Sequence, residues 1–257
     1  MRDPGLSEAI RAAGGFHELA RRIGISQPSV SNWTRVPAER VASVEAVTGV
    51  PRAVLRPDLY GDKKSGDAND ISVARAQEYA LLAALLTKAP SAALLSRISR
   101  VRADPSPLGL AHAALAGAAR TCTAEKVERE FFDLFIGLGR GELMPYGSYY
   151  LTGFLHERPL ARLREDLGRI GVTRADRVVE PEDHAGILCE IMSGLADGRL
   201  PAPADSERLI FEKHMAPWIG RFFSDLENAE AASFYKHVAA LGRIFTDIEA
   251  EAFALPA

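Results

Sequence analysis

Four groups of side chains in this 257-residue chain have the types and spacing for chemistry or recognition. Glu180-Pro-Glu-Asp-His184 crowds three carboxylates against an imidazole. Phe211-Glu-Lys-His214, followed by Trp218, sets a second imidazole among aromatics. Tyr146, Ser148 and Tyr149 offer hydroxyls within Pro145–Tyr150, and Gln27, Ser29, Ser31, Asn32 and Arg35 offer amides, hydroxyls and a guanidinium near the N-terminus. Carboxylates beside imidazoles suit acid-base work or a metal. However, Asp183, His184 and His214 lack an i, i+4 histidine pair with a nearby third ligand, so no metal site is expected. Acids in this arrangement read as the start of a helix: Pro181 pre-sets the first turn, and Glu182 and Asp183 lie near the positive end of the dipole. No Ser or Cys sits in a nucleophile motif. Gly137-x-Gly-x-Gly141 follows no strand and precedes no Lys-Ser/Thr, so it reads as a flexible connection and not a phosphate loop. Neither a catalytic residue nor a cofactor is expected. For each C-terminal group the plainer reading is a core aromatic, or a polar side chain satisfied inside a helical bundle.

These groups need elements to hold them, and the composition favours helices. Apolar residues make up 47% and charged residues 25% of the chain, an ordinary globular balance. Ala, Leu, Arg and Glu dominate, all good helix formers. Short helices are expected at about 5–13, 16–23, 27–35, 37–48 and 51–55. A polar segment, Leu59–Asp70, reads as a linker between domains at 1–58 and 71–257. Beyond it, apolar stripes at helical spacing recur: Val73, Ala76, Ala80 and Ala83; Val127, Phe131, Leu134, Phe135 and Leu138 behind a Thr123 cap; His184, Ile187, Leu188, Ile191 and Leu195; Phe211, His214, Met215, Trp218 and Phe222; Phe234, Val238, Leu241, Phe245 and Ile248. Prolines between the runs can end helices. No stretch alternates like a strand and no fixed repeat is present, so the expected class is all-α: a small helix-turn-helix module plus a larger multi-helix bundle.

Charge and cysteines narrow the function. Residues 1–60 carry eight basic and six acidic residues, while the rest carries 23 basic and 28 acidic, so any nucleic-acid contact belongs at the N-terminus. Two unpaired cysteines make a disulfide framework improbable. Met1–Leu6 leads into a polar helix, and the longest apolar run, Tyr79–Leu86, is too short to span a bilayer. Arg21-Arg22 lies inside an amphipathic pattern with no apolar run after it, so it is not read as an export signal. The expected location is cytoplasmic, without membrane insertion.

Between Phe16 and Trp33 the pattern is that of a helix-turn-helix. Leu19, Ala20 and Ile23 face inward, Gly24 makes the left-handed turn, Ile25 plugs the corner, Ser26 caps the next helix, and Val30 and Trp33 return to the core. Gln27, Ser29, Ser31, Asn32 and Arg35 are then left for a major groove: Gln and Asn toward adenine, Arg toward guanine, Ser toward phosphate or base. With the tail WTRVPAERVASVEAVTGVPRAVLRPDLY, residues Leu6–Tyr60 resemble the Cro/YdaS-type helix-turn-helix family. The same fold could instead serve docking or dimerisation, because its basic excess is small. DNA binding would favour a homodimer on paired half-sites.

The stretch from about Ser72 to Phe253 resembles the TorD/DmsD family of redox-enzyme maturation chaperones. The resemblance rests on ARAQEYALL, EREFFDLFIGLGRGELMPYGSYYLTGFLHERPLARLREDLGRIGV, EPEDH and the FEKHMAPW…FY spacing. It implies an all-helical fold that binds an apoprotein client: the N-terminal region, or twin-arginine leader, of a molybdenum-cofactor oxidoreductase. It also implies client contacts at Glu180, Pro181, Asp183 and His184, with Tyr146, Ser148, Tyr149, His214 and Trp218 as further recurrent positions. The block Pro145–Gly171 is most similar to members associated with formate dehydrogenase. Ordinary members lack the helix-turn-helix. Three readings follow: a chaperone with a DNA-binding module, a transcription regulator using the chaperone-like domain as a sensor, and a chaperone whose N-terminal module only oligomerises.

Overall fold

Side-chain caps set several of the helix starts. The computed structural model describes residues 2–60, 63–102, 104–173 and 180–255, with the side chains of 63–68 excepted. Asp3 accepts a hydrogen bond from Gly5 N (2.9 Å) and caps α1 (Pro4–Ala13). Then follow α2 (Phe16–Arg22), α3 (Gln27–Ser31), a 3₁₀ turn (Ala38–Arg40) leading into α4 (Val41–Thr48), α5 (Arg52–Leu55) and α6 (Pro57–Tyr60). The second series is α7 (Lys63–Leu86), α8 (Ala92–Ile98), α9 (Pro107–Thr121), α10 (Ala124–Phe131), α11 (Gly147–Thr152), α12 (Arg158–Arg169), α13 (Ala185–Ala196), α14 (Ser206–Ile210), α15 (Ile219–Glu227) and α16 (Tyr235–Ala254). Ser91, Ser106 and Thr123 cap α8, α9 and α10 through their hydroxyls. Two π-helical turns, Phe132–Ile136 and Phe211–Met215, follow directly on α10 and α14. Among the described residues there is no strand, only one isolated bridge between Tyr146 and His184. The all-α expectation is met.

The chain divides into two units, Met1–Ile71 and Ser72–Ala257. In the first, Leu6, Leu19, Val30, Val36, Val44 and Leu55 are fully buried in one small core, with Ile23, Ile25 and Trp33 packed partly against it. Gly24 takes φ +74°, the left-handed conformation the turn demands. In the second unit the core gathers Tyr79, Leu82 and Leu86 of α7, Leu188 and Met192 of α13, Phe222 and Phe223 of α15, and Val238 and Leu241 of α16. α15 packs on α16, and α16 on α9. Gly242 lets α16 approach α15 closely: a Cβ there would lie 2.3 Å from the Phe223 ring.

Several expectations shift. Of the segment 59–70, residues 59 and 60 lie in α6 and 63–70 open α7, while 61 and 62 lie outside the described residues. A polar stretch with no apolar stripe does not distinguish helix from loop by composition alone. The helix expected at 27–35 stops at Ser31. The stripe through Leu138 fails at its last residue. The π turn breaks the α-period after Leu134, leaving Leu138 97% exposed. On α7 the buried face is Ala76, Tyr79, Leu82, Ala83 and Leu86, while Val73 and Ala80 face solvent. Ile248 is also exposed. Pro107 and Pro159 lie in the first turns of α9 and α12 and start helices instead of ending them.

Candidate functional site

The chain folds back so that the start of α11 meets the start of α13. Gly147 N donates to Asp183 O (2.9 Å) and Ala185 N to Pro145 O (2.8 Å), the two bonds of the Tyr146–His184 bridge. Side chains complete the joint. Asp183 Oδ2 accepts from Ser148 N (2.8 Å), satisfying a first-turn donor of α11. His184 Nδ1 accepts from Gly186 N (3.0 Å), doing the same for α13. Glu180–His184 therefore does not open the helix as its sequence suggested. The helix opens at Ala185, and Asp183 and His184 are caps, one for each helix.

This geometry fixes the state of His184. Its Nδ1 must carry a lone pair, so the ring is neutral with the proton on Nε2. Burial depresses its pKa from 6.5 to about 4, against the opposing pull of Glu180 and Asp183. The ring meets Tyr146 edge-on at 5.1 Å between centroids. Tyr146 Oη donates to Glu180 Oε2 (2.6 Å), and burial together with that carboxylate pushes the phenol pKa up. Glu182 turns aside to pair with Arg164 (2.8 Å).

Two clefts meet at Asp183. The smaller, about 180 Å³, is lined by Tyr146, Ser148, Glu180 and Pro181 with Leu155 and His156. The larger, about 400 Å³, is lined by Asp166, Arg162, Arg169, Lys213 and His214 with Leu151. Asp183 is 4% exposed and Ser148 1%. Among the described residues Asp183 Oδ1 and Ser148 Oγ are buried without a hydrogen-bond partner in the chain. A buried carboxylate oxygen without a donor is costly. Asp183 lines both clefts, although this oxygen is itself closed off from water.

Asp166 organises the larger cleft. Its carboxylate accepts from Lys213 Nζ (2.9 Å), His214 Nε2 (2.9 Å) and Arg169 (2.8 Å). Burial opposes ionisation of Asp166, but the Lys213 and His214 hydrogen bonds outweigh it and hold the carboxyl below its usual range. Burial lowers the His214 pKa, with Asp166 opposing. The π turn at Phe211–Met215 carries His214 toward this carboxylate, and Trp218 Nε1 donates to His214 O (2.7 Å). Asp166 escaped the sequence reading, although it left a signal: an acid three residues from Leu163, on the buried face of amphipathic α12.

Of the nine positions singled out in this unit, Tyr146, Ser148, Glu180, Pro181 and Asp183 line the small cleft, and Asp183 and His214 the large one. His184 lies buried behind them as a cap. Trp218 is 2% exposed, stacks on Tyr150 at 5.5 Å and is a core residue. Tyr149 faces elsewhere, accepting from Arg140 (2.6 Å) in a separate cleft of about 320 Å³.

In the N-terminal unit Gln27, Ser29, Asn32 and Arg35 are exposed and Ser31 is half-buried. Only Gln27, Ser29 and Ser31 lie on α3; Asn32 is its C-cap and Arg35 follows in the loop. Ser26 does not cap through its side chain, since its hydroxyl bonds Ser29 Oγ (2.7 Å). The cations are largely tied up. Arg21 and Arg22 share Glu18, Arg52 holds Glu45, and Arg35 and Arg56 share Asp58.

The fold and site define a class: an all-helical protein with a small helix-turn-helix unit and a larger unit carrying acid-walled clefts. Residues 102–224 match the family described as nitrate reductase delta subunit, and residues 6–64 match the family described as bacterial toxin YdaS. The chain is 28% identical over 125 residues to "Chaperone protein TorD" of Vibrio cholerae, covering 45% of this chain and 57% of that one. It is 28% identical over 119 residues to "Probable Tat proofreading chaperone DmsD" of Haemophilus influenzae, covering 46% and 57%. A solved structure described as a "Putative Redox Enzyme Maturation Protein" of Archaeoglobus fulgidus is 19% identical, with a TM-score of 0.46, covering 66% of this chain and 93% of that one. The matched segment thus spans little more than half of the curated relatives. One segment of the chain is thus similar to the YdaS family and another to TorD and DmsD chaperones, both resemblances legible in its sequence. Among the described residues no helix is long and apolar enough to cross a membrane, and no group of three or more His, Cys, Asp and Glu could hold a metal ion.

Proposed function

We propose that the C-terminal unit is a maturation chaperone. It binds the N-terminal region of a molybdenum-cofactor oxidoreductase, the twin-arginine leader where the client is exported, while cofactor is inserted. The observation that carries this is Asp183, a buried carboxylate with one unpartnered oxygen where two clefts meet. A guanidinium supplies donors for that oxygen and for neighbouring Glu180, in a pocket that strengthens charge-assisted hydrogen bonds. Tyr146, Ser148 and Pro181 line the same cleft, and His214 extends the surface on the other side of Asp183. His184 and Trp218 support it from behind. The similarity to TorD and DmsD chaperones agrees with this, as does the absence of a nucleophile motif. Formate dehydrogenase is the client class to test first, and the cytoplasm, where apo-clients meet their cofactor, is the compartment. Co-purification from the native host followed by peptide identification is the test. Recovery of a molybdenum or tungsten oxidoreductase, lost with Asp183→Ala, supports the reading. No such client under conditions where one is expressed overturns it.

For the N-terminal module we propose DNA binding through Gln27, Ser29, Ser31 and Asn32, with Arg35 beside them and two copies on paired half-sites. The exposed amides and hydroxyls favour this reading, while the Arg35–Asp58 pair favours the alternative of a docking element. A gel shift on the protein's own upstream region decides, with Asn32→Ala and Arg35→Ala as controls. A salt-sensitive, sequence-selective shift supports DNA binding, and its absence removes it.

A further inference from the structure

A cleft of about 370 Å³ shares no lining residue with the two that meet at Asp183. Its volume falls within the range of small-molecule sites. Two helix ends build its walls. At the end of α12, Gly171 takes φ +79° and Val172 N donates back to Leu167 O (2.9 Å), which reverses the chain. Beyond α13, Gly198 takes φ +73° and Leu200 N donates to Gly194 O (2.8 Å). A Cβ at position 194 would lie 2.8 Å from the Leu200 side chain, so glycine there lets Leu200 close over the helix. Ile187 and Ile191 come from successive turns of α13. The apolar lining is Leu167, Val172, Ile187, Ile191 and Leu200, all aliphatic, with no aromatic ring. Three charged side chains join them, and two are already engaged. Glu182 accepts from Arg164 Nε (2.8 Å), and Arg199 donates to Asp197 Oδ2 (2.6 Å) and to Ser193 Oγ (2.8 Å). Glu190 is exposed and, among the described residues, makes no hydrogen bond or ion pair with its side chain. The cleft thus offers an aliphatic wall and one unmatched negative charge.

We propose that this cleft binds a small alkylammonium ion, with its aliphatic chain on the five aliphatic side chains and its cationic head at Glu190. Charge complementarity selects this occupant. A carboxylate head would meet Glu182 and Glu190, while the guanidinium of Arg199 is held by Asp197. A flat aromatic ligand finds no ring to stack on. A neutral chain fills the apolar part but leaves Glu190 without a counter-charge. The inference goes beyond the chaperone reading and stands apart from it, since none of these residues lines a cleft at Asp183.

Isothermal titration calorimetry of the full chain with n-octylammonium, n-butylammonium, n-octanol and octanoate tests it. n-Octylammonium binds saturably at one site. Each buried methylene is worth about fourfold in affinity, so n-butylammonium binds at least about tenfold more weakly. n-Octanol keeps the chain and drops the charge, and it binds about threefold more weakly, with octanoate weaker still. Glu190→Gln removes the preference for the ammonium over the alcohol and leaves the alcohol's affinity unchanged. Its thermal midpoint stays near wild type because Glu190 is exposed. Ile187→Phe, at a half-buried position of the lining, narrows the cleft and weakens both octyl ligands. If n-octylammonium fails to saturate the wild-type chain, or if Glu190→Gln keeps the full preference, the proposal is overturned. If Asp183→Asn abolishes binding while Glu190→Gln does not, the ligand occupies the client clefts and the assignment to this cleft falls.

Discussion

The two units handle their charges in opposite ways. In the N-terminal unit, arginines are bonded to acids on an open surface: Arg21 and Arg22 to Glu18, Arg52 to Glu45, Arg35 to Asp58. In the C-terminal unit the key carboxylates are withdrawn from water. Asp166 is met by three cationic or imidazole donors, and Asp183 spends one oxygen on Ser148 N and keeps the other unpaired. Exposed pairs are weak and screened by salt, so they adjust association more than they hold a fold. Buried charges are structural when satisfied and point to a ligand when they are not.

Acid should expose this difference most strongly. His184 is held neutral, with its pKa depressed from 6.5 to about 4. The unfolded chain therefore takes up a proton between those values that the folded chain refuses. The stabilisation is complete above pH 6.5 and is lost as pH falls toward 4, amounting to roughly 3 kcal/mol. Urea midpoints at pH 7.5 and 4.5, read from Trp218 in a Trp33→Phe background, measure it. His184→Asn, which can still cap α13, should flatten the dependence, whereas His184→Ala should in addition lose about 1 kcal/mol at neutral pH. Equal pH slopes in wild type and His184→Asn would remove the buried-neutral assignment.

Asp166→Ala should cost the C-terminal unit about 3 kcal/mol, because a buried carboxylate that several donors converge on is removed. The same substitution at Glu18, whose partners Arg21 and Arg22 are exposed, should cost far less. Denaturant melts of the two variants make the comparison directly, and a small loss for Asp166→Ala would show that its partners simply turn to water.

Asp58→Asn weakens the hold on exposed Arg35 and also on the more closely bound, buried Arg56, so any affinity for DNA should rise by no more than about fivefold. Filter-binding across a salt series measures it, and a fall in affinity would mean that Asp58 positions Arg35 productively. The smallest effect is expected for Glu18→Ala. Arg21 and Arg22 hold the Glu18 carboxyl down to about 2, yet Glu18 is only half-buried and both arginines are exposed. Its loss should leave the thermal midpoint unresolved from wild type, and a shift of several degrees would give the surface network more weight than exposed pairs normally carry.

Much of the fold was legible because its signals are local. Helical apolar spacing found the faces of α13 and α16, and Thr123 marked the start of α10. The Gly24 turn and the corner at Ile25 were equally readable. The failures are also local in sequence but non-local in cause. A π turn after Phe131 put Leu138 in solvent, and helix α3 ended four residues early. The candidate site was half legible. Its residue types were visible in EPEDH and in Tyr146–Tyr149. Their roles were not, since Asp183 caps a helix that begins 36 residues before it in the chain.

By itself the sequence determined helix content, the two resemblances and the inventory of acids, imidazoles and hydroxyls, because these follow from short-range periodicity and residue chemistry. Only the tertiary structure decided which of those groups are satisfied. Pairing Tyr146 with His184 brings two helix starts together, gives Asp183 one partner instead of two, and shuts His184 away from water. Hydrogen-bond satisfaction depends on what lies within about 3 Å in space, and spacing along the chain does not encode it.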